Sequence, residues 1–214
     1  MSKIISIEGN IGSGKSTLVD YLKNNYHLEN VIYLQEPIDE WNKIKDENNI
    51  TILEKFYENQ KKYSFSFQMM AYISRLNLLR KTIKENPDKI IITERSLYTD
   101  KYVFAKMLYD SKKMEQIEYN IYNNWFYSML DLVPLSKVIY LKTEPKVSFE
   151  RIHKRNRDGE NSIQFDYIND CHNYHNNMID NLKIDTKIID CTGNIDENNN
   201  LLENWSEEIL NFIK

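Results

Sequence analysis

Residues 9–17 read Gly-Asn-Ile-Gly-Ser-Gly-Lys-Ser-Thr and lie between an apolar run, Lys3-Ile4-Ile5-Ser6-Ile7, and a helical pattern, Leu18-Val19-Asp20-Tyr21-Leu22. This order of strand, glycine loop and helix is typical of a phosphate-binding loop. Its three glycines allow positive φ angles, with which backbone N–H groups can surround phosphate oxygens at a helix N-terminus. The sequence therefore predicts that the chain binds a nucleoside triphosphate.

Two side chains of this loop have predicted roles of their own. Lys15 is expected to reach the β- and γ-phosphates, and the Ser16 hydroxyl is the expected ligand of Mg²⁺, a cation that takes few protein oxygens. Thr17 is the alternative ligand. The residues predicted to contact the triphosphate in this loop are Gly9, Asn10, Ile11, Gly12, Ser13, Gly14, Lys15, Ser16 and Thr17.

The length and composition favour one domain, spanning 1–214, that acts on a small molecule. The chain is 41% hydrophobic, which is enough to bury a sizeable core. Its net charge of −4 argues against a general nucleic-acid binder. Cys171 and Cys191 lack metal-ligand spacing and indicate a reducing compartment. Because the first strand leaves no room for a signal peptide and no apolar run approaches about 18 residues, we expect a cytoplasmic protein without a membrane partner.

Short β-branched runs alternate with longer helical patterns along the chain. The predicted strands are Ile4–Ile7, Val31–Leu34, Lys89–Thr93, Lys137–Leu141 and Lys187–Asp190. Such runs are typical of buried parallel strands. Between them, Thr51 with Glu54 predicts a capping box that opens a helix, and Asn86-Pro87-Asp88 predicts a helix end. The pattern predicts an α/β fold, a five-stranded parallel sheet with helices on both faces, and ligands at the carboxyl ends of the strands.

An acidic residue follows each of two predicted strands. Glu36 comes after the second strand, and a carboxylate there could align an acceptor hydroxyl and take its proton. A Glu-Pro pair is also common in exposed turns, but the phosphate loop favours the functional interpretation. Glu94 comes after the third strand, where it could hold the Mg²⁺ shell, and Arg95 would stabilise charge near the transferred phosphoryl group. The alternative for this pair is a surface ion pair.

Basic residues cluster at the end of a predicted helix near the C-terminal third of the chain. Arg151 and Arg155 are four residues apart and share a helix face, and Arg157 with Gly159 suggests a helix end that turns into a loop. Guanidinium groups there could close over the γ-phosphate and exclude water. We therefore predict an arginine-rich lid at about 151–162, although basic runs are also common on solvated faces.

The stretch 65–75 is helical and unusually aromatic. Phe67 and Ala71 lie on one face with Gln68 beside them. A Gln amide can pair with the edge of a nucleobase, and Phe67 can pack on its ring. Because a plain hydrophobic core would avoid Gln68 and Arg75, we expect this helix to line a binding site.

Together these motifs resemble the deoxyribonucleoside kinase family from about Lys3 to Asp190. The matching motifs, in order, are residues 9–17, Glu36-Pro37 with Trp41, Phe67-Gln68, Glu94-Arg95-Ser96 and Arg155-Asn156-Arg157. The resemblance implies a P-loop kinase fold, ATP as phosphoryl donor, Mg²⁺, and 5′-phosphorylation of a deoxyribonucleoside in nucleotide salvage. It also implies a homodimer formed through helices packed side by side.

The resemblance assigns roles to individual residues. Glu36 is the implied base, with Arg95 beside it, and Lys15 and Arg155 complete the implied catalytic set. Gln68 pairs with the nucleobase, which stacks between Phe104 and Trp41. Tyr57 and Glu160 are similar to the pair that holds the sugar 3′-hydroxyl, and Asp190 opens the adenine-binding loop. The residues implied to contact the acceptor are Glu36, Ile38, Trp41, Tyr57, Phe67, Gln68, Ala71, Arg75, Arg95, Asp100, Phe104 and Glu160; those of the lid implied to contact ATP are Arg151, Arg155 and Arg157.

Substrate choice follows from Arg75 and Asp100, which match the charged pair of deoxycytidine- and purine-type members. Such a pair crowds the space for the 5-methyl group of thymine and offers polar groups to an exocyclic amine or carbonyl. We therefore expect deoxycytidine or the deoxypurines as acceptor, and a thymidine-type or broad-range kinase is the alternative. A thymidylate-type monophosphate kinase is disfavoured because the Glu36 carboxylate would repel an acceptor phosphate. A non-catalytic relative would have lost Lys15, Glu36 or the lid arginines.

Two pairs of residues are expected to have no chemical role. His172 and His175 lie one turn apart on the helix after the lid, but no third metal ligand has suitable spacing, so we expect both at the surface. Trp125 and Trp205 are expected to be packing residues.

Overall fold

The computed structural model describes residues 2–157, 160–193 and 200–213. Its strands are β1 (Lys3–Gly9), β2 (Val31–Leu34), β3 (Ile90–Glu94), β4 (Leu135–Lys142) and β5 (Asp185–Asp190). They form one sheet in the order β2-β3-β1-β4-β5, and every pairing is parallel. The predicted five-stranded parallel sheet is confirmed, with strand ends that lie at most two residues from the predicted ones.

The helices of the described residues surround this sheet. They are α1 (Lys15–Asn25), α2 (Ile38–Trp41), α3 (Ile52–Glu58), α4 (Gln60–Glu85), α5 (Leu97–Thr99), α6 (Lys106–Asp110), α7 (Gln116–Met129), α8 (Pro145–Arg155), α9 (Phe165–Asn181) and α10 (Leu201–Ile213). A π-helix, Asp100–Ala105, joins α5 to α6, and 3₁₀ turns occupy Leu130–Leu132 and Glu160–Ser162.

Neighbouring residues of the central strands face opposite cores, because side chains alternate across a sheet. Ile4 and Ile91 pack with buried residues of α3, α4 and α7 on one face. Ile5 and Ile92 pack with α1 and α10 on the other face. Burying each of these side chains stabilises the fold by about 1.5–3 kcal/mol. The helices therefore cover both faces, as the sequence predicted.

Both predicted helix signals are present. The Thr51 backbone N–H donates to the Glu54 side chain at 2.8 Å, and the Glu54 N–H donates to the Thr51 hydroxyl at 3.2 Å, which completes the capping box of α3. Helix α4 ends at Glu85, directly before the predicted stop at Asn86. The capping box fixes the start of α3, from which Phe56 and Tyr57 reach the cavity described below.

Some predictions about individual residues need correction or cannot be compared. Of the two tryptophans expected to be packing residues, Trp205 is buried, whereas 46% of Trp125 is exposed. Asp158 and Gly159 of the predicted lid lie outside the described residues. In the part of the chain that the structure describes, no helix is both long and apolar enough to cross a membrane.

Gly12 sits where the phosphate loop touches α8. Its φ angle is +78°, and a Cβ atom on it would lie 2.3 Å from the backbone oxygen of Ser148. We expect Gly12→Ala to lower the free energy of unfolding by about 1–3 kcal/mol, because the side chain is strained in this conformation and a backbone atom cannot move aside cheaply. Urea unfolding followed by circular dichroism measures the change.

The matched control is Gly193→Ala. The added Cβ would meet the Leu201 Cδ1 atom at 3.0 Å, and the end of a leucine side chain can turn away. We expect this control to change the free energy of unfolding by less than about 0.5 kcal/mol. Equal losses in both variants would contradict the predicted strain at Gly12.

Candidate active site

A cavity of about 350 Å³ lies at the carboxyl ends of β1, β2 and β3. These strand ends meet at one edge of the sheet, which brings together residues that are distant in the sequence. The cavity is lined by every residue predicted to contact the acceptor, namely Glu36, Ile38, Trp41, Tyr57, Phe67, Gln68, Ala71, Arg75, Arg95, Asp100, Phe104 and Glu160. It is therefore the candidate site.

The glycine loop forms one end of this cavity. Gly9, Gly12 and Gly14 all have positive φ angles, as the sequence predicted. The Asn10 side chain donates to the Ile168 carbonyl oxygen at 2.9 Å and so ties the loop to α9. Lys15 is buried and its Nζ donates to the Asn10 carbonyl oxygen at 2.6 Å. Burial and the neighbouring Arg95 lower the pKa of Lys15 to about 7, and an anion bound beside it would raise that pKa.

Two oxygen-bearing side chains meet beside Lys15. The Ser16 hydroxyl donates to Glu94 Oε1 at 2.8 Å, whereas Thr17 is exposed. Burial and the neighbouring Glu36 carboxylate raise the pKa of Glu94. A hydroxyl and a carboxylate at this distance fit a hard divalent cation, whose coordination by both oxygens would replace the hydrogen bond between them. The geometry favours Ser16 over Thr17 as the predicted ligand.

The Glu36 carboxylate lies between two guanidinium groups. Its Oε1 accepts a hydrogen bond from Arg75 Nη2 at 2.8 Å and lies 3.1 Å from Arg95 Nε. Burial alone would raise the pKa of Glu36, but Arg95, Arg75 and Lys15 together hold it at about 2. Glu36 is therefore ionised at neutral pH and is available as a hydrogen-bond and proton acceptor.

Arg75 connects this carboxylate to the floor of the cavity. It is buried on α4, and its Nε donates to Asp100 Oδ2 at 2.9 Å. Its Nη1 donates to the Glu94 carbonyl oxygen at 2.8 Å. The carboxylates of Asp100 and Glu36 raise the pKa of Arg75 against the opposing effect of burial, which keeps it charged. One guanidinium thus fixes the segment after β2, the end of β3 and the start of the π-helix relative to α4.

Aromatic rings and one amide form the side walls. Trp41 meets Phe67 edge-on with ring centroids 5.6 Å apart, and its indole N–H donates to Ser74 at 2.8 Å. Gln68 is buried and lines the cavity. Within the described residues, its amide forms no hydrogen bond. Because this amide faces the open cavity, it can both donate to and accept from a polar planar ligand.

The arginines of the predicted lid separate into two groups. Arg155 and Arg157 line the cavity, and Glu160 accepts from Arg155 Nη2 at 2.5 Å. Arg151 is not among the lining residues, since its Nη2 donates to the Gly193 carbonyl oxygen at 2.6 Å, close to the end of β5. Asp190, at that strand end, accepts from the Thr192 N–H. Arg151 and Asp190 therefore share a region outside the cavity.

Several residues of the site were not predicted. Leu53, Phe56 and Tyr167 line the cavity. The prediction that His175 lies at the surface is wrong, because it is fully buried and lies 3.4 Å from Arg95, whereas His172 is half-buried. Apolar residues at 168, 171, 178 and 179 place position 175 on the buried stripe of α9, and this spacing was the available signal.

Comparison with known proteins gives a consistent result. A family model described as deoxynucleoside kinase matches residues 5–214. The probable deoxycytidine kinase of fowlpox virus is 38% identical over 176 residues, which is 81% of this chain and 70% of that protein. Human deoxycytidine kinase is 32% identical over 197 residues, or 83% of this chain and 75% of that protein. The mitochondrial deoxyguanosine kinase of Xenopus laevis is 29% identical over 195 residues, or 83% and 73%.

Proposed function

The chain belongs to the deoxynucleoside kinase family and is a phosphotransferase that uses ATP to phosphorylate deoxynucleosides, and we propose that it prefers deoxycytidine and the deoxypurine nucleosides to thymidine. The observation that carries this preference is the buried ion pair between Arg75 and Asp100 on the cavity floor. Two charged side chains leave no apolar space for a thymine methyl group. They can instead donate to a base carbonyl and accept from a base amine.

The walls of the cavity support the same class of acceptor. Gln68 would pair with the edge of the nucleobase, and Trp41, Phe67 and Phe104 would hold its faces. The small side chain of Ala71 leaves room for a base beside α4. Tyr57 and Glu160 would bind the sugar 3′-hydroxyl, and a close fit there would disfavour a ribose.

We assign the chemical step to Glu36 and Arg95. Glu36 would accept a hydrogen bond from the 5′-hydroxyl, align its oxygen with the γ-phosphorus and take its proton. Arg95 lies 3.1 Å from the same carboxylate and would stabilise the charge that spreads over the transferred group. An ionised Glu36 suits an alcohol acceptor, whereas it would repel the phosphate of a nucleotide acceptor.

The donor would be held by the glycine loop and by the lid. Backbone N–H groups of the loop and Lys15 would bind the phosphates, and Ser16 with Glu94 would hold Mg²⁺. When bound, this cation would neutralise part of the phosphate charge. Arg155 and Arg157, within a lid at about 151–162 of one kinase domain, would close over the γ-phosphate. Arg151 and the segment that Asp190 opens would lie on the adenine side.

The proposed homodimer has a candidate surface on α7. Ile117, Ile121 and Trp125 are spaced by four residues and so share one face of the helix, and each is at least 42% exposed. Ile73 adds an exposed apolar side chain on α4, which packs against α7 through the hydrogen bond from Tyr72 to the Trp125 carbonyl oxygen. The implied homodimer forms through helices packed side by side, so the partner that we propose for this surface is a second copy of the chain.

We expect Ile121→Glu to weaken this dimer by at least ~100-fold in dissociation constant, because each partner would bury a new charge. Light scattering across a concentration series measures the molecular mass. The control is Ile188→Glu, which changes an isoleucine on the edge strand β5 that is 52% exposed, against 42% for Ile121. A wild-type chain that stays monomeric, or equal effects of the two substitutions, would contradict the assignment of α7.

A phosphorylation assay with Mg-ATP tests the acceptor class. It compares four deoxynucleosides, the matching ribonucleosides and thymidine monophosphate. We expect product from deoxycytidine or the deoxypurines and much less from ribonucleosides. Product from thymidine alone would overturn the role of Arg75 and Asp100, and product from thymidine monophosphate alone would overturn the role of Glu36. The cytoplasmic location and the reducing compartment stay predictions.

A further inference from the structure

His175 is a buried titratable residue that the proposed chemistry does not use. It lies on α9 and is 0% exposed. Its Nδ1 is 2.7 Å from the Cys171 carbonyl oxygen, and its Nε2 is 3.4 Å from Arg95 Nη1. A carbonyl oxygen can only accept, so Nδ1 carries the proton, and a guanidinium can only donate, so Nε2 accepts. The two contacts require the same neutral tautomer.

Arg95 needs such support because its own backbone is strained. Its φ angle is +62°, in the left-handed region that residues other than glycine rarely adopt. Its guanidinium is held by the Gly9 carbonyl oxygen at 2.7 Å, by Glu36 and by His175. The His175 ring also meets Phe104 edge-on at 6.2 Å between centroids, and Arg95 Cζ lies 4.9 Å from the centroid of Phe104. His175, which is not among the residues that line the cavity, therefore contacts two side chains that do, Arg95 and Phe104.

We propose that His175 is a positioning residue for phosphoryl transfer, whose unprotonated Nε2 accepts a hydrogen bond from Arg95 and keeps the guanidinium aimed at the transferred group. The inference rests on the role proposed for Arg95. A displacement of a charged group by about 1 Å can cost ~100-fold in rate even when the substrates still bind. The effect of losing His175 should therefore fall on kcat and leave KM nearly unchanged.

The surroundings keep the ring neutral. The groups that face it are Arg95 after β3, Lys15 at the start of α1, His172 one turn earlier on α9, and Tyr140 of β4, whose ring is nearly parallel to it. Burial lowers the pKa of His175 well below its usual value, and Arg95 and Lys15 lower it further. A protonated His175 would lose the acceptor and place two cations in contact.

The kinetic test compares three variants with the wild type under Mg-ATP and the best acceptor. His175→Phe keeps a ring and removes the acceptor, so we expect kcat to fall at least ~10-fold while both KM values change less than ~2-fold. His175→Gln keeps an amide oxygen near the position of Nε2, so we expect it to retain kcat within about threefold. His172→Phe makes the same change on the same helix and should match the wild type.

A second measurement does not depend on activity. Long-range ¹H–¹⁵N spectra of the histidine rings at pH 7 should show Nδ1 of His175 protonated and Nε2 bare, with an Nε2 shift that changes in Arg95→Met. A protonated Nε2, or an unchanged shift, would overturn the proposal even if His175→Phe failed to fold. Equal kcat losses in the Phe and Gln variants, or none in Phe, would also overturn it. A wild-type chain that phosphorylates no deoxynucleoside would instead refute the proposed function, and the spectra would still report the contact.

Discussion

Glu36→Gln lowers kcat for deoxynucleoside phosphorylation by at least ~10²-fold, because an amide of the same size cannot take the proton of the 5′-hydroxyl. In the wild type, Arg75 Nη2 donates to Glu36 Oε1 at 2.8 Å. The side-chain oxygen of Gln can still accept this hydrogen bond. The cavity should therefore keep its shape, and KM for ATP should change by less than about threefold. Steady-state kinetics with Mg-ATP and deoxycytidine measure both parameters.

The lowered pKa of Glu36 predicts a second effect of Glu36→Gln, on how stability depends on pH. The pKa of Glu36 is held at about 2 instead of its ordinary value of 4.5. A lowered carboxyl pKa stabilises the fold above pH 4.5 and loses that contribution as the pH falls towards 2. We therefore expect the free energy of unfolding of the wild type to fall faster than that of Glu36→Gln over this window. The pH profile of kcat/KM, which reports on the free enzyme, should show no fall near pH 4.5 that is due to protonation of Glu36.

The control for this prediction is Glu40→Gln, which neutralises an exposed glutamate four residues away. It should change kcat by less than about twofold, since it has no place in the cavity. Full activity of Glu36→Gln, or equal losses in both variants, would remove Glu36 from the chemical step. A higher KM for the deoxynucleoside with an unchanged kcat would assign Glu36 to binding alone.

The pair Arg75→Met and Asp100→Ala has the second large expected effect. Together the substitutions replace the charged floor by an apolar one, and we expect the ratio of kcat/KM for thymidine to that for deoxycytidine to rise at least ~10-fold. Arg75→Met alone should lower the free energy of unfolding by about 3–5 kcal/mol, because it leaves the buried Asp100 carboxylate without its cation. The double variant should recover part of that loss.

An exposed ion pair serves as the control for the substitutions of Arg75 and Asp100. Lys106 and Asp110 are four residues apart on the surface with 2.5 Å between Nζ and Oδ2. Lys106→Met with Asp110→Ala should change the free energy of unfolding by less than about 1 kcal/mol and leave the base preference unchanged. An unchanged thymidine ratio in the double variant of the buried pair would overturn the assignment of base preference to Arg75 and Asp100.

Those features of the fold and site that depend on local sequence could be predicted. The isoleucine runs predicted strands because β-branched residues fit a sheet buried on both faces. Once the strands were known, Glu36 and Glu94 had to lie near the glycine loop, because parallel strands end at a common edge. The positive φ angles of Gly9, Gly12 and Gly14 followed from the phosphate-binding pattern.

The features that were not predicted depend on contacts between distant segments. The hydrogen bonds of Arg75 to Glu36, Glu94 and Asp100 require α4 to lie at one position beside the end of β3, which no local pattern specifies. The π-helix at Asp100–Ala105, which packs against α4 and α9, and the left-handed Arg95 have no signal in the local sequence. His175 was expected at the surface because no third metal ligand has suitable spacing, although its spacing on α9 indicated the interior.

A competition assay tests the central claim most directly. Equimolar deoxycytidine, deoxyadenosine, deoxyguanosine and thymidine share a limiting amount of Mg-ATP, and mass spectrometry identifies the monophosphates formed. We expect the 5′-monophosphates of deoxycytidine and the deoxypurines to dominate, with that of thymidine at least ~10-fold lower. Thymidine monophosphate as the main product, or consumption of ATP without any nucleoside monophosphate, would contradict the function proposed for this chain.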